Sequence, residues 1–258
     1  MRYSRIAQVA AASAVAFGSV TVAHAGIQVG GTRVIFDAST DKREASLPVR
    51  NKGETPYVIQ TYVDDGQGGT SNLPFAVTPP LFRLDGGKEQ LVLVRNVAKD
   101  NLPEDRESVY WLDMKEIPPA DEAQSRNGNT LKIAVLTRIK LFYRPAGLTG
   151  NPAEAPSQLK WSVVEGPNGH GAALMVSNPT PYHVTFSTIE VQGRRSESIN
   201  ADMVAPSSDL LIPIPDGAVP EIGPVKFTYT TINDFGAVTP AVQVIAQPAA
   251  TPVPVAAR

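Results

Sequence analysis

Short runs in which apolar and polar residues alternate, each closed by a turn signal, recur along almost the whole chain, and few stretches carry a helical period. A period of two sets one face of a strand against the other, so this patterning confines the chain to all-β architectures. In the first half the strand-like runs cover 32–37, 46–50, 56–63, 91–97, 108–116 and 131–143. Asn51-Lys52-Gly53, Asp65-Gly66, Asp85-Gly86-Gly87 and Asn127-Gly128 punctuate them. About seven short strands in ~100 residues predict an immunoglobulin-like sandwich. Residues 144–158, RPAGLTGNPAEAPSQ, break the pattern with Pro, Gly and Ala and mark a domain boundary. A second set follows at 159–164, 172–177, 182–192, 209–214, 225–232 and 238–246, again of sandwich size. No residue-level repeat joins the halves, so their likeness is architectural. The predicted division is 26–145 and 146–246, with a Pro/Ala-rich tail at 247–258 expected to be extended and mobile.

The longest run, LKIAVLTRIKLFYRP at 131–145, is unusual for a strand. Leu131, Ile133, Val135, Ile139, Leu141 and Tyr143 fall on odd positions, and Lys132, Arg138 and Lys140 on even ones. At roughly 3.3 Å per residue its thirteen residues 131–143 span about 43 Å, against a usual ~17–20 Å. Pro145 removes a donor and stops the ladder. Such a strand is either a long core strand or one that overshoots its sheet along an edge. A long apolar edge left open invites pairing with another chain.

The first 25 residues have the makeup of a secretory leader. Arg2 and Arg5 precede an Ala-rich apolar core from about Ala7 to Val22, and Ala23-His24-Ala25 is an A-x-A cleavage signature. The apolar run is too short and too rich in small residues to span a bilayer comfortably, and no later stretch is apolar enough, so no stable membrane insertion is expected. Removing the leader takes away two Arg and no acid, which leaves the chain more negative than the −2 of the whole. That balance argues against nucleic-acid binding, which favours a basic face. The chain has no cysteine, so a secreted form relies on burial instead of disulfides.

Catalytic patterns are missing. His24 leaves with the leader, His170 sits in the turn Gly-Pro-Asn-Gly-His-Gly, and His183 lies in a strand-like run. There is no nucleophile elbow, phosphate loop or zinc spacing. Asp64-Asp65-Gly66 lacks the further oxygen ligands of a calcium loop and reads as a solvated hairpin. The chain is read as a non-enzyme with no metal and no cofactor.

Six stretches, taken together, point to one family: GTRVIFD at 31–37, PPLFRL at 79–84, VYWLDMKEIPP at 109–119, KLFYRP at 140–145, NPTPYHVTF at 178–186 and TINDFGA at 231–237. In this order they resemble the PapD-like periplasmic chaperones of chaperone–usher pilus assembly, over nearly the whole chain beyond the leader. The resemblance implies two immunoglobulin-like β-sandwich domains in an L-shaped, boomerang-like molecule with a cleft between them. It implies a periplasmic protein whose partners are pilus or fimbrial subunits and an outer-membrane usher. It leaves open whether the free protein caps itself as a dimer.

The resemblance also assigns roles. Leu131, Ile133 and Val135 match the donor residues lent to a pilus subunit to replace its missing strand. Arg33 and Lys140 match a basic pair that holds the subunit's C-terminal carboxylate; an Arg fork and a compact Lys charge suit such a group. Glu116, Arg144 and Asp234 match residues of an interdomain salt bridge. The competing readings are an immunoglobulin-like surface adhesin or pilus structural protein, which would usually bring a cysteine pair and would lack Arg33 and Lys140 in these contexts, and a periplasmic hydrolase, which lacks a reactive constellation.

Overall fold

The computed structural model describes residues 26–40, 44–97, 102–118, 133–193, 196–219 and 223–249. The leader, the tail beyond 249 and the segment 119–132, which includes Leu131, lie outside the described residues.

The chain is all-β and forms two domains. Nine strands build the first: β1 (Ile27–Val29), β2 (Arg33–Asp37), β3 (Glu44–Asn51), β4 (Tyr57–Asp64), β5 (Phe75–Thr78), β6 (Leu81–Leu84), β7 (Glu89–Asn96), β8 (Ser108–Ile117) and β9 (Leu136–Arg144). They form a four-stranded sheet in the order β1-β3-β7-β5 and a five-stranded sheet in the order β2-β9-β8-β4-β6. Alternation sends one side of each strand inward. Val34 and Phe36, Leu47 and Val49, Val92 and Val94, Leu112 and Met114, and Ile139 and Leu141 meet in one buried cluster between the sheets. Phe36, Phe75, Tyr110 and Tyr143 add a set of tilted and edge-on ring contacts at its end.

The chain changes sheets between β1 and β2. β1 pairs antiparallel with β3, whereas β2 pairs parallel with β9. Gly30 makes this crossing: a Cβ there would stand 2.4 Å from Pro48 Cγ and 2.9 Å from the Pro48 carbonyl oxygen, so any side chain would force the two segments apart.

Eight strands build the second domain: β10 (Lys160–Glu165), β11 (Ala172–Asn178), β12 (Val184–Gln192), β13 (Ser196–Ile199), β14 (Met203–Val204), β15 (Ser208–Pro213), β16 (Val225–Thr231) and β17 (Val242–Pro248). They follow the path β13-β12-β16-β17-β10-β11-β15, with β14 beside β12. Trp161, Phe186, Phe227 and Tyr229 pack ring to ring in this core. The Pro/Gly-rich segment read as the domain boundary is partly built into the second domain. Ala155 and Leu159 are buried in its core, and the Tyr182 and Tyr229 hydroxyls donate to the carbonyls of Gly150 and Pro156.

Two expectations change. The tail does not begin at 247, because Gln247 and Pro248 still belong to β17 and lie beside Ser162 and Val163 of β10. The strand expected over 131–143 starts only at Leu136. Residues 133–135 precede the regular strand, tied by one backbone bond from the Glu116 N–H to the Val135 carbonyl at 2.8 Å. The physical reason is the partner's length: β8 ends at Ile117 and Pro118 follows, so little is left to pair with.

Candidate functional site

β9 is covered unequally on its two edges. On one side β8 pairs with it from Leu136 to Tyr143. On the other side β2 pairs only with Lys140–Arg144. Leu136–Ile139 therefore face no strand on that side among the described residues, and their outward backbone groups form an open edge. Ile139 and Leu141 are buried toward the core, and Ile133 and Val135 continue the same odd-numbered series beyond the end of the sandwich. Both are exposed, Ile133 at 67 %, as is Leu136 on the opposite face. The apolar series thus runs out of the core into solvent beside an open edge.

Arg33 and Lys140 are direct cross-strand neighbours in the parallel register, so their side chains leave the same face. They stand where β2 begins and the open edge ends. Arg33 Nη1 donates to the Ile232 carbonyl of the second domain at 3.0 Å, and its guanidinium lies over the Phe142 ring at 5.5 Å. Its Nε is buried without a hydrogen-bond partner among the described residues. Burial lowers the Arg33 pKa, an effect that Asp234 and Glu107 oppose. Lys140 forms an ion pair with Asp202 of the second domain.

The even-numbered face of β9 then runs into the domain junction. Arg144 Nη1 donates to Asp234 Oδ2 at 2.8 Å, and Nη2 donates to Glu107 Oε1 at 2.7 Å and to Asp234 Oδ1 at 3.2 Å. The Arg144 guanidinium lies over the Tyr182 ring, 5.3 Å from its centre. Glu107 also accepts from the His183 backbone N–H at 2.9 Å, and His183 packs on Phe142. Desolvation of Arg144 would lower its pKa, but the hydrogen bonds and charges of Asp234 and Glu107 outweigh it and hold the pKa above its ordinary value. The hairpin carrying Asp234 packs closely on the crossing segment: Gly236, at φ +79°, would put a Cβ 2.4 Å from Thr32 Oγ1.

The third member of this network is Glu107, not Glu116. Antiparallel pairing sets Ser108 opposite Tyr143, which brings Glu107 beside Arg144. Glu116 lies at the other end of the strand, where its N–H binds Val135, and its side chain is buried on the core face. Nine residues at ~3.3 Å per residue separate the two acids by roughly 30 Å. Burial raises the Glu116 pKa. A carboxyl group with a raised folded-state pKa supports the fold most below its unfolded pKa, and that support is lost as pH rises through the folded value. Glu116→Gln is thus expected to raise the melting temperature at pH 7, with the difference from wild type shrinking as pH falls through the glutamate range. A lower melting temperature at pH 7 would reject this reading.

The remaining cation of that face is Arg138. It pairs with Asp64, has its Nε 3.4 Å from Asp113 Oδ1, and lies over Trp111. It is thereby engaged within its own sheet. No cluster of three or more His, Cys, Asp or Glu that could hold a metal occurs among the described residues, and none of their helices is long and apolar enough to cross a membrane.

Residues 26–149 match the family described as the pili and flagellar-assembly chaperone, PapD N-terminal domain, and residues 154–243 match the pili assembly chaperone PapD, C-terminal domain. A probable fimbrial chaperone of Escherichia coli O157:H7, LpfB, is 44 % identical over 222 residues, which is 85 % of this chain and 88 % of the relative. The probable fimbrial chaperone YadV of Escherichia coli K12 is 40 % identical over 228 residues, 86 % and 89 % of the two chains. The crystal structure of the YadV chaperone superposes with a TM-score of 0.72 at 36 % identity, covering 86 % of this chain and all of that one. The Salmonella enterica SafB chaperone, solved in complex with the SafA pilin, gives 0.70 at 28 % identity over 85 % and 95 %.

Proposed function

The chain belongs to the PapD-like family of pilus-assembly chaperones, and from that premise we propose that it captures pilus or fimbrial subunits in the periplasm by lending them a strand and passes them to an outer-membrane usher. The family is one of chaperones, not enzymes. The capturing element in this reading is the open edge of β9 with Leu131, Ile133 and Val135. The basic pair Arg33 and Lys140 holds the terminal carboxylate of the incoming pilin.

The observation that carries the reading is the position of the basic pair at one end of the open edge. A strand added beside Leu136–Ile139 lies in line with β2 and must stop where β2 begins. Its end then meets two cations, which suit a carboxylate and repel an α-ammonium. An incoming C-terminus at Lys140 runs in the direction of β9, so the added strand is parallel. Strand addition to an open edge takes its affinity from main-chain bonds and its specificity from alternate side chains, and chaperone–pilin complementation is a known case of it. Fixing one chain end also fixes register, and a slip by one residue would turn every side chain to the wrong face. Each donor residue contributes roughly 1.5–3 kcal/mol if a pilin groove covers it fully.

Two measurements test this. Tagged protein isolated from periplasm should bring pilus subunits with it. Ile133→Asp should weaken the capture of pilins by about 10- to 100-fold, since apolar burial is lost and a charge is desolvated. Its melting temperature should match wild type, because the side chain is exposed in the free protein. An Ile133→Asp protein that unfolds on its own would make Ile133 a core residue and end the donor-strand reading.

A further inference from the structure

The ammonium assigned to an incoming carboxylate already holds one. Lys140 is 17 % exposed and paired with Asp202, whose side chain is 72 % exposed. We propose that Asp202 is an internal competitor at the anion site, a specificity-determining residue that yields Lys140 only to a carboxylate carried by a strand that also fills the open edge. This rests on the reading of Arg33 and Lys140 as a carboxylate anchor.

The two cations of the site differ in what they hold. Arg33 keeps a buried Nε without a partner among the described residues, while Lys140 is occupied from across the domain junction. Asp202 precedes β14, and its backbone carbonyl accepts the Phe186 N–H at 2.9 Å, which fixes the main chain. The exposed side chain can turn away without moving that anchor. A small acid that displaces Asp202 exchanges one ion pair for another. It competes with a tethered group at an effective concentration in the ~mM range. A strand end brings in addition the backbone bonds along Leu136–Ile139 and the contacts of the donor residues, so it alone gains from the exchange. Loss of Asp202 should not release the domains, because Arg144, Glu107 and Asp234 hold them independently.

The test uses the full chain and a synthetic ten-residue peptide alternating Val and Thr, made with a free or an amidated C-terminus. The quantity read is the ratio of affinities, free over amidated. Asp202→Asn and Asp202→Ala are expected to raise this ratio about two- to fivefold over wild type, the range set by one exposed ion pair. Affinity for the amidated peptide should stay unchanged. Asp216→Asn makes the same change in net charge elsewhere on the domain and is expected to leave the ratio alone. If wild type prefers the free acid but both Asp202 variants prefer it no more strongly, or if Asp216→Asn raises the ratio equally, the competition is overturned while the anchor stands. If neither wild type nor the Asp202 variants distinguish the two ends, the anchor falls and the competition with it.

Discussion

Arg33→Ala and Lys140→Ala are each expected to weaken binding of a free pilin C-terminus by roughly 30- to 4,000-fold, the ~2–5 kcal/mol typical of stripping one partner from a desolvated charge contact. The two side chains issue from adjacent strands on one face and act on one group. The double variant should therefore lose much less than the product of the single losses. Arg33→Lys is not expected to rescue. The guanidinium lies over Phe142 while one arm binds the Ile232 carbonyl, and an ammonium cannot hold both positions and still present a fork. Both proteins should remain folded, because neither charge lies in the cluster between the sheets. Binding of free and amidated peptides, measured by calorimetry, checks this directly. Equal affinity of wild type for the two ends would show that the basic pair does not hold a carboxylate.

The parts of this arrangement that periodicity could reveal are those with enough residues to show it. β2, β3, β4, β7, β8 and β9 each carry five or more residues of alternating pattern and coincide with strand-like runs in the sequence, β9 with the C-terminal part of its run. β1, β5, β6, β13 and β14 span two to four residues, too few to register a period of two. β1 matters most among these, because its crossing to the other sheet is what leaves the edge of β9 open. The edge itself is legible only as an overlong strand. The structure shortens that strand: its ladder with β8 ends at the pair Lys115–Leu136, two residues before β8 itself ends.

Cross-strand register sets the other boundary of what a sequence conveys. Arg144 and Asp234 sit in recognisable motifs, but Glu107 precedes its strand and belongs to none of them. Its place beside Arg144 follows from pairing Ser108 with Tyr143, and the long connection between β8 and β9 hides that offset. Glu116 is the partner the motif VYWLDMKEIPP suggests, yet the same register carries it to the far end. Asp202 and His183 reach the site from the second domain, and only the docking of the domains brings them there.

Arg144→Met is expected to lower stability by roughly 3–5 kcal/mol, the penalty for stranding a buried charge. Glu107 is the group stranded. It is 2 % exposed, and its remaining contacts are the His183 backbone and ring. Asp234, which is more exposed, can turn to water and adds less. This asymmetry makes a second prediction within the first. Glu107→Gln in the Arg144→Met background should recover part of the loss, because an amide is far easier to bury than a lone carboxylate. Asp234→Asn in the same background should recover little. The domain arrangement should loosen as well, since Arg144 leaves the end of β9 and clasps a hairpin of the second domain. Denaturant unfolding together with small-angle scattering reads both effects. Glu116→Gln serves as the contrast, an acid of the neighbouring strand that should leave scattering unchanged. If Arg144→Met matches wild type in both measurements, the network does not hold the domains, and the angle at which Arg33 meets Ile232 must be set by the packing of Gly236 on Thr32 instead.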